Sequence, residues 1–226
     1  MAIFLLNDKP LFPPPHLADD DGLLAVGGDL RMERLLEAYS NGVFPWYSES
    51  TPILWWSPDP RLVLFPKELH ISRSLKQVIK KGIFTITTDK AFEEVIKNCA
   101  VVHRKGSNGT WLTDEMINAY INLYKAGYAH SVESWQEGEL AGGLYGVSLG
   151  GIFFGESMFA KISDASKAAF VKLVRSLEQW NYTVVDCQVV TGHLIRMGAR
   201  TISRTQFLRI LKAALGKKTA RWGLGF

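Results

Sequence analysis

Cysteine is scarce in this 226-residue sequence: Cys99 and Cys187 are the only two. They lack the spacing of a disulfide framework, so a reduced, cytoplasmic compartment is expected. Metal-ligand patterns are missing too. His16, His70, His103, His130 and His193 are scattered, with no HxxxH or CxxC, and no metal site is expected. No apolar run approaches the ~18 residues of a membrane span. The start, MAIFLLNDKP, has no basic segment and no long apolar stretch, so it does not read as a signal peptide. Acidic residues are lacking at one end: from Arg200 to Phe226 there are seven lysines or arginines and no Asp or Glu.

What is present is an ordinary globular balance, 47% hydrophobic and 21% charged, enough for one large domain or one domain and a smaller one. The formal charge of +4 is compatible with a polyanionic partner without demanding one.

Residues 1–60 are rich in turns. LFPPPHLADDDGLLAVGGDL excludes a long helix, because proline removes an amide donor and clashes with the preceding turn. RMERLLEAYSNG follows as a short amphipathic helix stopped at Gly42. Next comes an aromatic, proline-stiffened segment with Trp46, Trp55 and Trp56, the last two read as packing. A small N-terminal domain, 1–60, is expected to end at Pro58 and Pro60. From Arg61 to Phe226 strands and helices alternate. Ser72 and Thr113 stand where helix N-caps belong, and Gly82 and Gly127 where helices stop. QEGE and LGG read as hairpin turns between three strands.

Two acids interrupt apolar strands: Glu156 in GIFFGESMF and Asp186 in YTVVDCQVV. A helix over 165–180 separates strands 151–159 and 182–190, which favours parallel neighbours joined by a right-handed crossover. Glu156 and Asp186 are then expected to face one another. Strict alternation puts Asp186 and Gln188 on one face and Cys187 on the other. The pair reads either as a site at a cleft or as structural carboxylates satisfied by backbone or arginine partners.

The blocks GLLAVGGDL, NGVFPWYS, ILWWSPDPR, LHISRSLK, GTWLTDEM, AHSVESW, AGGLYGV, GESMF and VVDCQV, in this order, resemble the bacterial leucyl/phenylalanyl-tRNA–protein transferases. The resemblance implies an α+β chain, with a small N-terminal domain before an acetyltransferase-like mixed-sheet domain. It implies no metal and no coenzyme. The implied reaction moves leucine, phenylalanine or methionine from aminoacyl-tRNA onto an N-terminal arginine or lysine, marking that protein for N-degron proteolysis. A monomer is expected.

Under that reading, peptide-bond formation needs a neutral, positioned amine beside the ester. Asp186 is expected to bind the amine and act as its base, Gln188 to orient the amine or the carbonyl, and Glu156 to recognise the cationic acceptor. Leu144, Phe153, Met158, Phe170, Leu177 and Val185 are the candidate aminoacyl pocket, with ordinary core packing the alternative, above all for Phe170 and Leu177. Trp46 and Trp111 are candidates to stack on the terminal adenosine. Arg73, Lys76, Lys80 and Lys81 form a basic helix side suited to phosphates, or else a solvated surface. Cys187 is expected to be buried and inert, and His70, His130 and His193 structural.

Three rival functions compete with this one. An acetyl-CoA-dependent N-acetyltransferase needs a glycine-rich pyrophosphate cradle at a helix start, and no such loop follows VVDCQV or GESMF. A non-catalytic RNA-binding module does not need the acids. A carboxylate-pair hydrolase has no substrate-subsite pattern to support it.

Overall fold

The computed structural model describes residues 3–101, 112–217 and 222. A first sheet is made by β1 (Phe4–Leu6), β2 (Leu23–Gly27), β3 (Phe44–Pro45) and β4 (Leu54–Trp56), in the order β1-β2-β4-β3. The helix α1 (Met32–Ser40) connects β2 to β3, and the chain leaves it through Gly42, whose φ of +70° suits a residue without Cβ. Trp55 is fully buried and its indole N–H donates to the Gly27 carbonyl at 2.8 Å. Trp56 donates to the Trp46 carbonyl at 2.7 Å. Both therefore pack, as expected.

The second sheet begins with β5 (Arg61–Leu64). Then come α2 (Arg73–Lys80), β6 (Thr85–Thr88), α3 (Phe92–Val101) and α4 (Asp114–Lys125). The meander β7 (Ala129–Gln136), β8 (Glu139–Leu149) and β9 (Ile152–Ala160) leads into α5 (Ala165–Gln179). The chain continues through β10 (Val184–Gln188), α6 (Gly192–Arg196), β11 (Arg200–Ile202) and α7 (Arg204–Leu215). The strand order is β11-β5-β10-β9-β8-β7-β6. All pairs are antiparallel except β9–β10, which are parallel as the strand-helix-strand spacing predicts. The α+β expectation holds: a small N-terminal sheet precedes a larger mixed sheet.

Local chemistry accounts for the element ends. The Ser72 hydroxyl accepts from the Leu75 amide at 3.3 Å and caps α2, and Thr113 accepts from Met116 at 3.2 Å and caps α4. Asp114 and Glu115 lie in the first turn of α4, where the helix dipole favours negative charge. β10 is shorter than its apolar run, 184–188 against an expected 182–190. The Thr191 hydroxyl then accepts from Leu194 at 3.4 Å and starts α6, a short helix with no expectation from the sequence.

The seven-stranded sheet separates two cores. Phe154 and Val184 point into one, with the first sheet, α1, α4 and α7; Phe153 and Val185 point into the other, under α5. Alternate residues of the same strands thus serve opposite faces. No helix among the described residues is long and apolar enough to cross a membrane.

Candidate active site

A cavity of about 370 Å³ opens between α5, α6 and the strands β8, β9 and β10. Leu144, Phe153, Met158, Phe170, Leu173 and Val185 supply apolar wall. Glu156 and Gln188 supply polar groups, and Thr191, His193 and Leu194 close one side.

Two β-bulges shape the polar end. On β9, Gly155 pairs with Gly146 and Ser157 with Tyr145, so Glu156 is the extra residue. Gly146 is required there: a Cβ would stand 2.1 Å from the Phe154 carbonyl oxygen. On β10, Asp186 pairs with Val63 and Gln188 with Leu62, so Cys187 is the extra residue. A bulge bends its strand and redirects its side chains. Here it brings the Gln188 side-chain amide to 3.1 Å from Glu156 Oε1.

Glu156 also accepts from the Tyr39 hydroxyl at 2.8 Å and the Tyr120 hydroxyl at 2.9 Å, and these two hydroxyls lie 2.6 Å apart. Tyr39 comes from α1 and Tyr120 from α4, so both flanking helices converge on one carboxyl. Burial first, then the nearby Glu156 charge, pushes both phenols well above the ordinary range, and they remain donors. Burial also lifts Glu156, to about 7; the tyrosine and Gln188 hydrogen bonds oppose that rise, and the Asp186 charge adds to it. A carboxyl that titrates near neutrality in a cavity is suited to exchanging protons there.

Asp186 is placed differently from expectation. Its carboxylate is fully buried and meets Arg61 in two hydrogen bonds, Nε–Oδ1 at 2.9 Å and Nη2–Oδ2 at 2.6 Å. The Arg61 guanidinium lies between the Phe44 and Phe207 rings, 4.8 and 4.6 Å from their centroids. The Asp186 side chain does not line the cavity. Asp186 and Gln188 do not share a face, because the bulge breaks the alternation, and Cys187 joins Gln188 at the cavity wall. Cys187 is buried, as expected, and burial raises its thiol far above the usual range, which keeps it un-ionised.

The other expected residues divide. Leu144, Phe153, Met158, Phe170 and Val185 line the cavity. Leu177 does not: it lies two turns along α5 from Phe170, about 10 Å away, and is fully buried in the core. Trp46 is 45% exposed and packs against Trp56, leaving ring surface free for a ligand. Trp111 lies outside the described residues. Arg73, Lys76, Lys80 and Lys81 are all exposed on or just after α2. Tyr39 and Tyr120 join the site without any sequence signal, since nothing in their local sequence distinguishes them from core residues, whereas Arg61 closes the block ILWWSPDPR, the signal that could have found it. His193 reads as structural in the sequence yet lines the cavity.

Comparison with known proteins decides the family. The model of the leucyl/phenylalanyl-tRNA protein transferase family matches residues 63–212, and that of its N-terminal domain matches 28–59. The leucyl/phenylalanyl-tRNA–protein transferase of Anaeromyxobacter sp. (strain Fw109-5) is 58% identical over 226 residues, covering 99% of this chain and 96% of its own length. That of Syntrophobacter fumaroxidans is 59% identical over 211 residues, covering 93% and 90%. The chain belongs to the leucyl/phenylalanyl-tRNA–protein transferase family. It is therefore a transferase, and the rival readings as a binding module or a hydrolase fall away. Among solved structures, L-PGS from Bacillus licheniformis aligns with 74% of this chain and 53% of its own at 13% identity and a TM-score of 0.40, too remote to carry an argument.

In this transferase the family motifs GESMF and VVDCQV are the two bulged strand segments. Their sequences meet only because β9 and β10 are parallel neighbours.

Proposed function

We propose that the chain transfers leucine, phenylalanine or methionine from aminoacyl-tRNA to proteins that begin with arginine or lysine. One observation carries the reading: an apolar cavity ends at Glu156 and Gln188, so an apolar side chain and a reacting amine have adjacent places. The wall includes Met158, which adapts to several occupants, and a methylene is worth only ~1–3 kcal/mol in such a pocket. Leucine, methionine and phenylalanine are thus all acceptable donors.

Glu156 pairs with the acceptor's α-ammonium and takes one proton from it. The freed amine attacks the ester carbonyl; the carbon–nitrogen bond forms and the bond to the ribose oxygen breaks. The second amine proton passes to that ribose oxygen. Gln188 orients the amine or the carbonyl. Asp186 is a positioning residue, since its carboxylate is occupied by Arg61 and by the Gln188 amide. The terminal adenosine stacks on Trp46, with Trp111 its expected second partner, and Arg73, Lys76, Lys80 and Lys81 follow the acceptor-stem phosphates. No metal or coenzyme is assigned a step. The monomer is the proposed acting form. The product becomes a substrate for N-degron proteolysis in the bacterial cytoplasm.

The test is transfer of labelled leucine from Leu-tRNA to peptides that begin with Arg, Lys or Ala. Label on the Arg and Lys peptides alone, abolished by ribonuclease, is expected. Equal labelling of the Ala peptide would overturn the acceptor assignment.

A further inference from the structure

The cavity has a second polar feature, at its rim. Lys167 lies in the first turn of α5, three residues before the wall residue Phe170, so the two share a helix face. On the facing side, His193 and Arg196 are three apart on α6, and His193 lines the cavity. Burial, then the Lys167 and Arg196 charges, holds the His193 imidazole below its ordinary pKa. Lys167 pairs with Asp164 at 2.6 Å and keeps 39% of its side-chain surface open. Arg196 is exposed and has no ion pair among the described residues.

This rim cannot favour the acceptor. A protein that begins with arginine or lysine brings two positive charges and is repelled here, while Glu156, held from the α1 and α4 side, attracts it. The rim suits an anion attached to the donor. In a tRNA ending in adenosine, the group one ribose away from the aminoacyl ester is the phosphate that joins the last two nucleotides. We infer that Lys167 and Arg196 hold that phosphate at the rim while the aminoacyl group occupies the cavity. The inference rests on the aminoacyl-tRNA reading above. It separates donor and acceptor by charge, with cations on α5 and α6 and a carboxyl held from α1 and α4.

Two competitors of transfer from Phe-tRNA separate the possibilities. One is adenosine with phenylalanine esterified to its ribose; the other is the same compound with a phosphate on the ribose hydroxymethyl. Wild-type protein should bind the phosphorylated competitor about tenfold more tightly, as expected for charge-assisted hydrogen bonds. Lys167→Gln and Arg196→Gln should each remove most of that advantage while leaving inhibition by the unphosphorylated competitor within about twofold. Equal inhibition of wild-type protein by the two, or equal weakening of both in the variants, would overturn the inference. Wild-type failure to transfer from Phe-tRNA at all would instead bring down the aminoacyl-tRNA reading on which it rests.

Discussion

The Asp186 carboxylate accepts the backbone N–H of Gln188 at 3.0 Å. This local turn holds Gln188 at a φ of +60°, in the left-handed region that side chains other than glycine seldom adopt. With Asp186 itself clamped by Arg61, the unusual backbone is imposed from below, and the Gln188 amide is aimed at Glu156. The Asp186 carboxylate, expected to meet the amine, is instead occupied by Arg61 and by the backbone of its neighbour.

Asp186→Asn should therefore act on structure before chemistry. It leaves the Arg61 guanidinium buried without its counter-charge, a loss of about 3–5 kcal/mol. Urea denaturation at neutral pH measures it. The folded fraction should transfer slowly but keep the wild-type pH profile; a lost pH limb would instead make Asp186 the proton acceptor.

Glu156 controls a pH dependence of opposite origin. Its folded pKa, about 7, lies above the ordinary 4.5, so between these values the native state holds a proton that the unfolded state has released. Its contribution to stability is full below about 4.5 and is lost as pH rises through 7. Glu156→Gln should consequently flatten the decline in stability towards pH 8 and match the wild type near pH 4. Transfer should rise with pH through an apparent pKa near 7 in the wild type, and that limb should vanish with the carboxyl.

Tyr39 and Tyr120 tie this carboxyl to two helices. Tyr120→Phe removes one donor to the ionised form, so the acid limb of the transfer profile should move to higher pH. Stability should fall by about 1–2 kcal/mol, as for other buried hydrogen bonds removed by substitution. An unmoved limb would show that Glu156 does not set it.

Phe170 is one wall of the cavity proposed to hold the aminoacyl group. Phe170→Leu enlarges it, so competition between Phe-tRNA and Leu-tRNA should shift several-fold towards phenylalanine, in keeping with the ~1–3 kcal/mol reach of apolar pocket changes. An unchanged ratio would remove Phe170 from the donor pocket.

The exposed face of α2 makes the last prediction. Lys76→Gln with Lys80→Gln should weaken tRNA binding without altering transfer from a small aminoacyl-adenosine. The slope of log affinity against log salt should fall by roughly one for each phosphate that is no longer neutralised. An unaltered slope would return these lysines to the solvated surface.

Much of this molecule was legible by local rules. Ser72 and Thr113 cap helices because a short hydroxyl there satisfies an orphan amide, and Gly42, Gly82 and Gly127 end helices because they accept positive φ. The parallel pairing of β9 and β10 followed from a strand-helix-strand spacing that leaves few other connections. Five of the six apolar pocket positions followed from motifs on adjacent strands and a facing helix. Alternation failed where the site lies. A bulge adds one residue to one strand only, so its presence depends on the partner strand, and at Cys187 it broke the alternation that put Asp186 and Gln188 on one face. The partners of the two acids were equally out of reach: Arg61 stands 125 residues from Asp186, and Tyr39 stands 117 from Glu156. The sequence by itself determined the helix caps, the strand-helix-strand unit and the family, because these rest on neighbours along the chain. Only the tertiary structure decided which acid is sealed in an ion pair and which faces the cavity, because burial and charge pairing depend on groups that the chain brings together from a distance.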